Sequence, residues 1–174
     1  AQAGLGGAVF QMFNHGTISA MLFILVGVIY DRAHHREIEG FGGLAAQMPI
    51  YTGICAMVFF AGLGLPGFSG FISEAMCFIG AFPIYKGIVI ASTIGILLNA
   101  AYFLWAFQRI FFGKLNEKYT DLPEINNREL FTVVPLLIIT LFFGIYPAPY
   151  LDIISSTMDV IINHVVTMAT ISGK

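Results

Sequence analysis

Ala61-Gly62-Leu63-Gly64-Leu65-Pro66-Gly67-Phe68-Ser69-Gly70 interrupts an apolar run that extends from Pro49 to Phe82. A continuous helix of that length would reach about 51 Å at 1.5 Å per residue, far beyond a hydrocarbon core of ~30 Å. The stretch holds four glycines, Gly62, Gly64, Gly67 and Gly70, and one proline, Pro66. Pro66 lacks an N–H and disfavours helical geometry at Leu65. The run therefore reads as two half-helices joined by an extended segment, with the break at 62–70. Backbone exposed to lipid costs several kcal/mol per unpaired group, so such a break survives only inside protein or beside water. Broken helices of this kind are a recurrent device of ion transporters. A kink used only for packing is the plainer alternative.

The surrounding chain gives the reading its setting. Its 174 residues are 57% hydrophobic and 10% charged, with a formal net charge of −2. A soluble domain carries about 25% charged residues. The mean hydropathy of +0.84 excludes disorder, and the absence of a basic stripe argues against a nucleic-acid partner. The fold class expected is all-α integral membrane, with four transmembrane helices. They are placed at 4–30, 49–82 (the broken one), 88–112 and 130–145, forming a bundle over 1–149. The last segment, 150–174, places Asp152, Ser156, Asp159, Asn163, Thr167 and Thr170 at helical spacing on one face. It reads as an amphipathic surface helix. The sequence starts without Met, almost directly in an apolar run, and reads as a piece of a longer chain.

Orientation follows from Lys and Arg. Loop 31–48 carries Arg32 and Arg36; the end of the third span and loop 113–129 carry Arg109, Lys114, Lys118 and Arg128. Two crossings separate these loops, so they share a face, with Lys86 and Lys174 opposite. The basic face is the cytoplasmic one, or its matrix or stromal equivalent.

Two residues inside the spans carry chemistry. Glu74 is the one acid within the four spans. It follows the break and lies about 13 Å from Pro83 by helical rise, near mid-membrane. An ionised carboxylate there needs a partner or water, and a carboxyl poised to change protonation suits a proton relay. His15 lies near the middle of the first span, with Gln11 and Ser19 four residues to either side on one face. Imidazole both accepts and donates a proton near neutrality. The plainer readings are a structural glutamate bonded to backbone freed by the break, and a packed histidine bonded to a neighbouring helix. Cys55 and Cys77 sit in apolar runs, with no CxxC spacing, and read as small packing residues. Asn99 reads as a bond to an adjacent helix. No Walker loop, dinucleotide fingerprint or cysteine cluster is present, so no metal or cofactor is assigned to this chain.

The string Asn14-His15-Gly16-Thr17-Ile18-Ser19-Ala20-Met21-Leu22-Phe23, followed by Tyr30-Asp31-Arg32, His35-Arg36 and Phe41-Gly42-Gly43-Leu44, resembles the antiporter-like subunits of respiratory complex I. Leu63 to Phe71, Glu74, Gln108-Arg109-Ile110-Phe111-Phe112-Gly113, Leu122-Pro123, Arg128-Glu129 and Tyr146-Pro147 extend the match over nearly the whole chain. The resemblance implies the last four of about fourteen transmembrane helices plus a C-terminal amphipathic helix. It implies a proton-translocating membrane-arm subunit of NADH:quinone oxidoreductase, with Glu74 and His15 on a central polar axis. In one branch of the family the broken helix carries glutamate, in sister branches lysine, and Glu74 matches the glutamate form. The family's other ionisable groups, a glutamate and two lysines in earlier helices, have no counterpart here. NADH, FMN, iron–sulfur clusters and quinone are expected in partner subunits, which include sister antiporter-like chains. A bacterial inner membrane is the expected location, with mitochondrial inner and thylakoid membranes as alternatives. A subunit of an Mrp-type cation/proton antiporter or of a membrane-bound hydrogenase is the runner-up, and a purely structural membrane scaffold is a third reading.

The charge count makes a direct prediction. A cysteine replacing His34 in the assembled protein should react with an impermeant maleimide from the cytoplasmic side only. Labelling from the opposite side would overturn the orientation.

Overall fold

The computed structural model describes the backbone of residues 2–172 and side chains through residue 168. Thr170 and Lys174 fall outside the described side chains. The order is α1 (Gln2–Ala33), α2 (Leu44–Gln47), α3 (Pro49–Gly62), α4 (Ser69–Ala81), α5 (Lys86–Phe111), α6 (Asn127–Ile145) and α7 (Ala148–Ser172), with single 3₁₀ turns at Ile38–Gly40 and Glu117–Tyr119. No strand occurs among the described residues. Three helices, α1, α5 and α6, are long and apolar enough to cross a membrane. α3 and α4, at 14 and 13 residues, each rise only about 20 Å.

Local chemistry sets the ends. Pro49 opens α3 at a position where its missing N–H is harmless. The distant Glu124 carboxylate accepts from the next two amides, Ile50 at 2.8 Å and Tyr51 at 3.0 Å. α6 begins with a capping box: Asn126 Oδ1 accepts from the Glu129 amide and Glu129 Oε2 from the Asn126 amide, both at 2.9 Å. α1 continues past Asp31-Arg32, beyond the expected end at Tyr30, because Arg32 is tied down on every side. Its guanidinium donates to Val28 O (2.7 Å), Pro123 O (2.8 Å), Glu124 O (3.0 Å) and both Glu129 carboxylate oxygens (3.0 and 2.8 Å).

The two charged loops touch each other. The Gly43 amide donates to Phe112 O and the Asn116 amide to Gly42 O. Asn116 Nδ2 donates to Gly40 O at 2.9 Å, and His35 bonds to the Tyr119 hydroxyl. Loops on opposite faces of a bilayer could not do this. The main core lies just inside this end, where Met21 and Leu25 of α1 meet Met48, Val58 and Val133. At the other end α1 and α4 approach at backbone contact. A Cβ on Gly7 would lie 2.7 Å from Met76 Cβ and 2.9 Å from Cys77 N, and Gly4 faces Gly80 just as closely. Small residues at helix crossings are the usual route to such packing in membranes.

α7 is anchored at its start by Tyr150, whose ring stacks on Phe10 at 4.8 Å between centroids. Further along, Gln2 Nε2 donates to Asp159 Oδ1 at 2.6 Å. Asp152, Ser156, Asp159, Asn163 and Thr167 are exposed, and so are Ile153, Val160, Ile161 and Val165. α7 buries Met158 against the bundle and leaves most of its apolar side uncovered.

Arg32 offers a stability test. Its side chain is 9% exposed and that of Glu129 14%. Lysine has no planar fork with which to replace this set of bonds. Arg32→Met leaves Glu129 without its cation and two loop carbonyls without their donor, and should destabilise the protein by about 3 kcal/mol. The check is a lowered Tm in detergent, and an unchanged Tm would show that the loops dock without the clamp.

Candidate proton-carrying site at the helix break

The helix stops at Gly62 and restarts at Ser69. Its first half ends in a Schellman motif. Gly64 is left-handed, with φ +78, the Leu65 amide donates to Phe60 O at 3.0 Å and the Gly64 amide to Ala61 O at 3.3 Å. Pro66 then prevents continuation, and Gly67 turns the chain at φ +103. Side chains of other helices bond to the end of α3 and the start of α4. Asn99 Nδ2 of α5 donates to Gly62 O at 3.0 Å, and Asn14 Nδ2 of α1 donates to Ser69 O at 3.0 Å. Gly144 of α6 lies directly against the backbone of Gly67 and Phe68, where a side chain would collide. At Gly70 an added Cβ would lie 3.3 Å from Ala61 O, so the two half-helices meet closely there.

Glu74, half-buried on the second turn of α4, folds back over this turn. A Cβ on Gly64 would meet its Oε2 at 2.9 Å and its carboxyl carbon at 3.6 Å. Gln11 of α1 lies beside the carboxyl. Ser73 links the set, accepting from Asn14 Nδ2 at 2.8 Å and donating to Gln11 Oε1. Asn14, Ser69 and Ser73 are fully buried. The structure thus gathers Gln11, Asn14, Ser69, Ser73 and Glu74 around the break.

His15 stands apart. It is exposed on α1, while its neighbour Asn14 points into the bundle. Gln11 and Ser19, expected on one stripe with it, are half-buried. Sequence reasoning missed Asn14, Ser69, Ser73 and Gly144. A signal was present for three of them: Asn14 lies three residues after Gln11 on α1, and Ser69 and Ser73 are one turn apart on α4.

An apolar helical bundle with a carboxyl over a glycine turn between two half-helices is the arrangement of an integral membrane protein with a broken helix. The chain belongs to the NADH:quinone oxidoreductase/Mrp antiporter transmembrane family, whose model matches residues 1–99. It is 42% identical over 158 residues to NADH-quinone oxidoreductase subunit M of Rhodobacter capsulatus, covering 90% of this chain and 31% of that protein. The F(420)H(2) dehydrogenase subunit M of Methanosarcina mazei is 37% identical over 159 residues, covering 91% of this chain and 32% of the other. NADH-ubiquinone oxidoreductase chain 4 of Arabidopsis thaliana is 35% identical over 162 residues, with 92% and 33% covered. The resemblance is therefore to the subunit M, or chain 4, type. The chain spans about a third of the length of these relatives. Among solved structures it overlays on a chain of respiratory complex I from Thermus thermophilus with a TM-score of 0.83 at 25% identity, covering 90% of this chain and 34% of that one. A chain of an archaeal membrane-bound sulfane sulfur reductase shares the fold, with a TM-score of 0.75 at 23% identity, covering 83% and 24%.

Gly64→Ala tests the seat. It forces a side chain into the left-handed region, at about 1–2 kcal/mol, and pushes the Glu74 carboxyl off the turn. Proton translocation by the assembled complex should fall severalfold with assembly retained; full translocation would show that the seat is dispensable.

Proposed function

We propose that this chain is part of a proton-translocating membrane-arm subunit of NADH:quinone oxidoreductase, in which Glu74 takes up and releases the proton. The observation that carries this reading is the Glu74 carboxyl lying over Gly64 in the break. It is the one acid among residues 4–30, 49–82, 88–112 and 130–145, and it lies beside the turn that separates α3 from α4. In this reading α3 and α4 together make one crossing, so that the chain crosses four times. The touching loops 31–48 and 113–129 lie on the cytoplasmic side, and α7 rests along the outer surface. His15, exposed on α1, passes protons between the region of Glu74 and the inner half through the neighbours it faces.

The chain itself carries no redox centre in this account. NADH, FMN, iron–sulfur clusters and quinone belong to partner subunits, and the membrane neighbours are sister antiporter-like chains. A bacterial inner membrane is the proposed location. Energy reaches Glu74 as a changed distance to a cation on a neighbouring element. At an effective ε of about 20, two unit charges at 4 Å interact by about 4 kcal/mol. One pKa unit corresponds to about 1.36 kcal/mol, so such a movement is large enough to load or unload a carboxyl. The likeness to a F(420)H(2) dehydrogenase subunit favours a second reading in which the electron donor differs and the proton chemistry of this chain is the same.

Glu74→Gln keeps the shape and removes the titration. In the intact complex, pumping coupled to quinone reduction should drop about tenfold or more while assembly is kept, and Glu74→Asp should retain part of it. Normal pumping by Glu74→Gln would leave Glu74 a structural hydrogen-bonding group.

A further inference from the structure

We propose that Gln11 and Ser73 form a hydrogen-bond switch that reverses when Glu74 gains or loses its proton, so that both forms of the carboxyl are met without helix movement. This rests on the reading of Glu74 as the proton-carrying group. The argument begins at Asn14. Its Nδ2 donates to Ser69 O at 3.0 Å, and a carbonyl can only accept, so the orientation of the Asn14 amide is set. The same nitrogen donates to Ser73 Oγ at 2.8 Å. A serine hydroxyl has one hydrogen and two lone pairs. With one lone pair taken by Asn14, Ser73 has one lone pair and one hydrogen to place. Three acceptors compete for the hydrogen: Gln11 Oε1, Gly70 O at 3.0 Å and Ser69 O at 3.2 Å.

That surplus creates two arrangements. In the first, Ser73 donates to Gln11 Oε1, which turns the Gln11 NH₂ toward Glu74. An ionised carboxylate only accepts, so it is satisfied. In the second, Ser73 donates to Gly70 O and accepts from the Gln11 NH₂ on its second lone pair. Gln11 Oε1 then faces Glu74 and accepts the hydrogen of the protonated carboxyl. Beyond the Asn14 bonds common to both, the first arrangement makes two bonds and the second three, the added donor being the proton that Glu74 gains. The covalent change is one proton on Glu74, and the motion is a rotation of the Gln11 amide about a soft terminal torsion. Asn14 and Ser73 are fully buried, so water does not compete for the bond between them, while Gln11 and Glu74 are half-buried.

The surroundings isolate the device. Cys77, one turn along α4, is the titratable group beside Glu74, and among the described residues the elements packed on α4 (α1, α3, α5 and α6) bring no charged side chain against the carboxyl. His15 of α1 is exposed rather than turned into this cluster.

Infrared difference spectra of the intact complex between acid and alkaline pH test the switch. The wild type against Glu74→Gln identifies the Glu74 carboxyl band. The wild type against Gln11→Met, together with ¹³C-glutamine labelling of the unsubstituted complex, identifies the side-chain amide band. The expected result is an amide shift that titrates with the same midpoint as the carboxyl band. Ser73→Ala should lose at least half of that shift while the carboxyl still titrates, and Ser73→Thr, which keeps the hydroxyl, should restore it. A carboxyl band that titrates with a stationary amide band would overturn the switch alone. So would a full amide shift in Ser73→Ala. Absence of any carboxyl band removed by Glu74→Gln would overturn both the switch and the proton-carrying role of Glu74.

Discussion

The backbone freed between α3 and α4 is the constraint on which the bundle depends. Inside an apolar assembly each unpaired carbonyl or amide costs several kcal/mol, and the helix can stop at Gly62 only where partners are supplied. The Schellman turn at Gly64 accounts for Phe60 O and Ala61 O. Asn99 of α5 takes Gly62 O, and Asn14 of α1 adds a bond to Ser69 O at the start of α4. These two bonds fix which faces of α1 and α5 turn toward the break. Gly4, Gly7 and Gly80 let α1 and α4 close to backbone contact, and Gly144 lets α6 close on the turn. Glu74 sits where it does because its neighbours on α1 are held there by the same bonds.

The opposite end is organised around charge. Arg32 reaches across 97 positions of sequence to Glu129 and also takes carbonyls of the intervening loop. Glu124, whose own carbonyl is one of these, satisfies the first amides of α3 with its carboxylate. One cluster thus docks loop 113–129 onto the ends of both α1 and α3. The helix break and the clamped end are joined through α1, so a displacement of α1 would be felt at both. The family's transmembrane model covers α1, the break and about half of α5, the part of the chain that holds the polar cluster.

Much of this was legible in the sequence, for reasons that differ by residue. The break showed because four glycines and Pro66 violate helix propensity inside a run whose hydropathy demands a helix. Glu74 showed because a charge in such a run has few reasons to be there. The apolar runs gave the helices to within a few residues, and α1 and α6 extend further because the Arg32–Glu129 cluster orders residues that composition assigns to a loop. Asn14 was not legible beside His15. Periodicity states which residues share a face, and Gln11, His15 and Ser19 do, but it does not state which face meets the chain's own core. That was decided by Ser69 and Ser73, more than fifty residues away. The partner of Arg32 was hidden for the same reason, since local spacing carries no information about contacts across 97 residues. For α7 the spacing of polar residues predicted one exposed face, whereas the structure leaves both faces largely open, with Tyr150 and Met158 as its main attachments.

The central claim is that Glu74 exchanges a proton along a path that the helix break opens. The most direct test is an electron cryo-microscopy map of the complete complex at a resolution that shows ordered water. The account predicts a water hydrogen-bonded to the Glu74 carboxyl on the side away from Gln11, continuing through polar groups toward the side of α1 that carries His15. A carboxyl enclosed by Gln11, the Gly64 turn and apolar side chains, with no water or titratable group in reach, would contradict it.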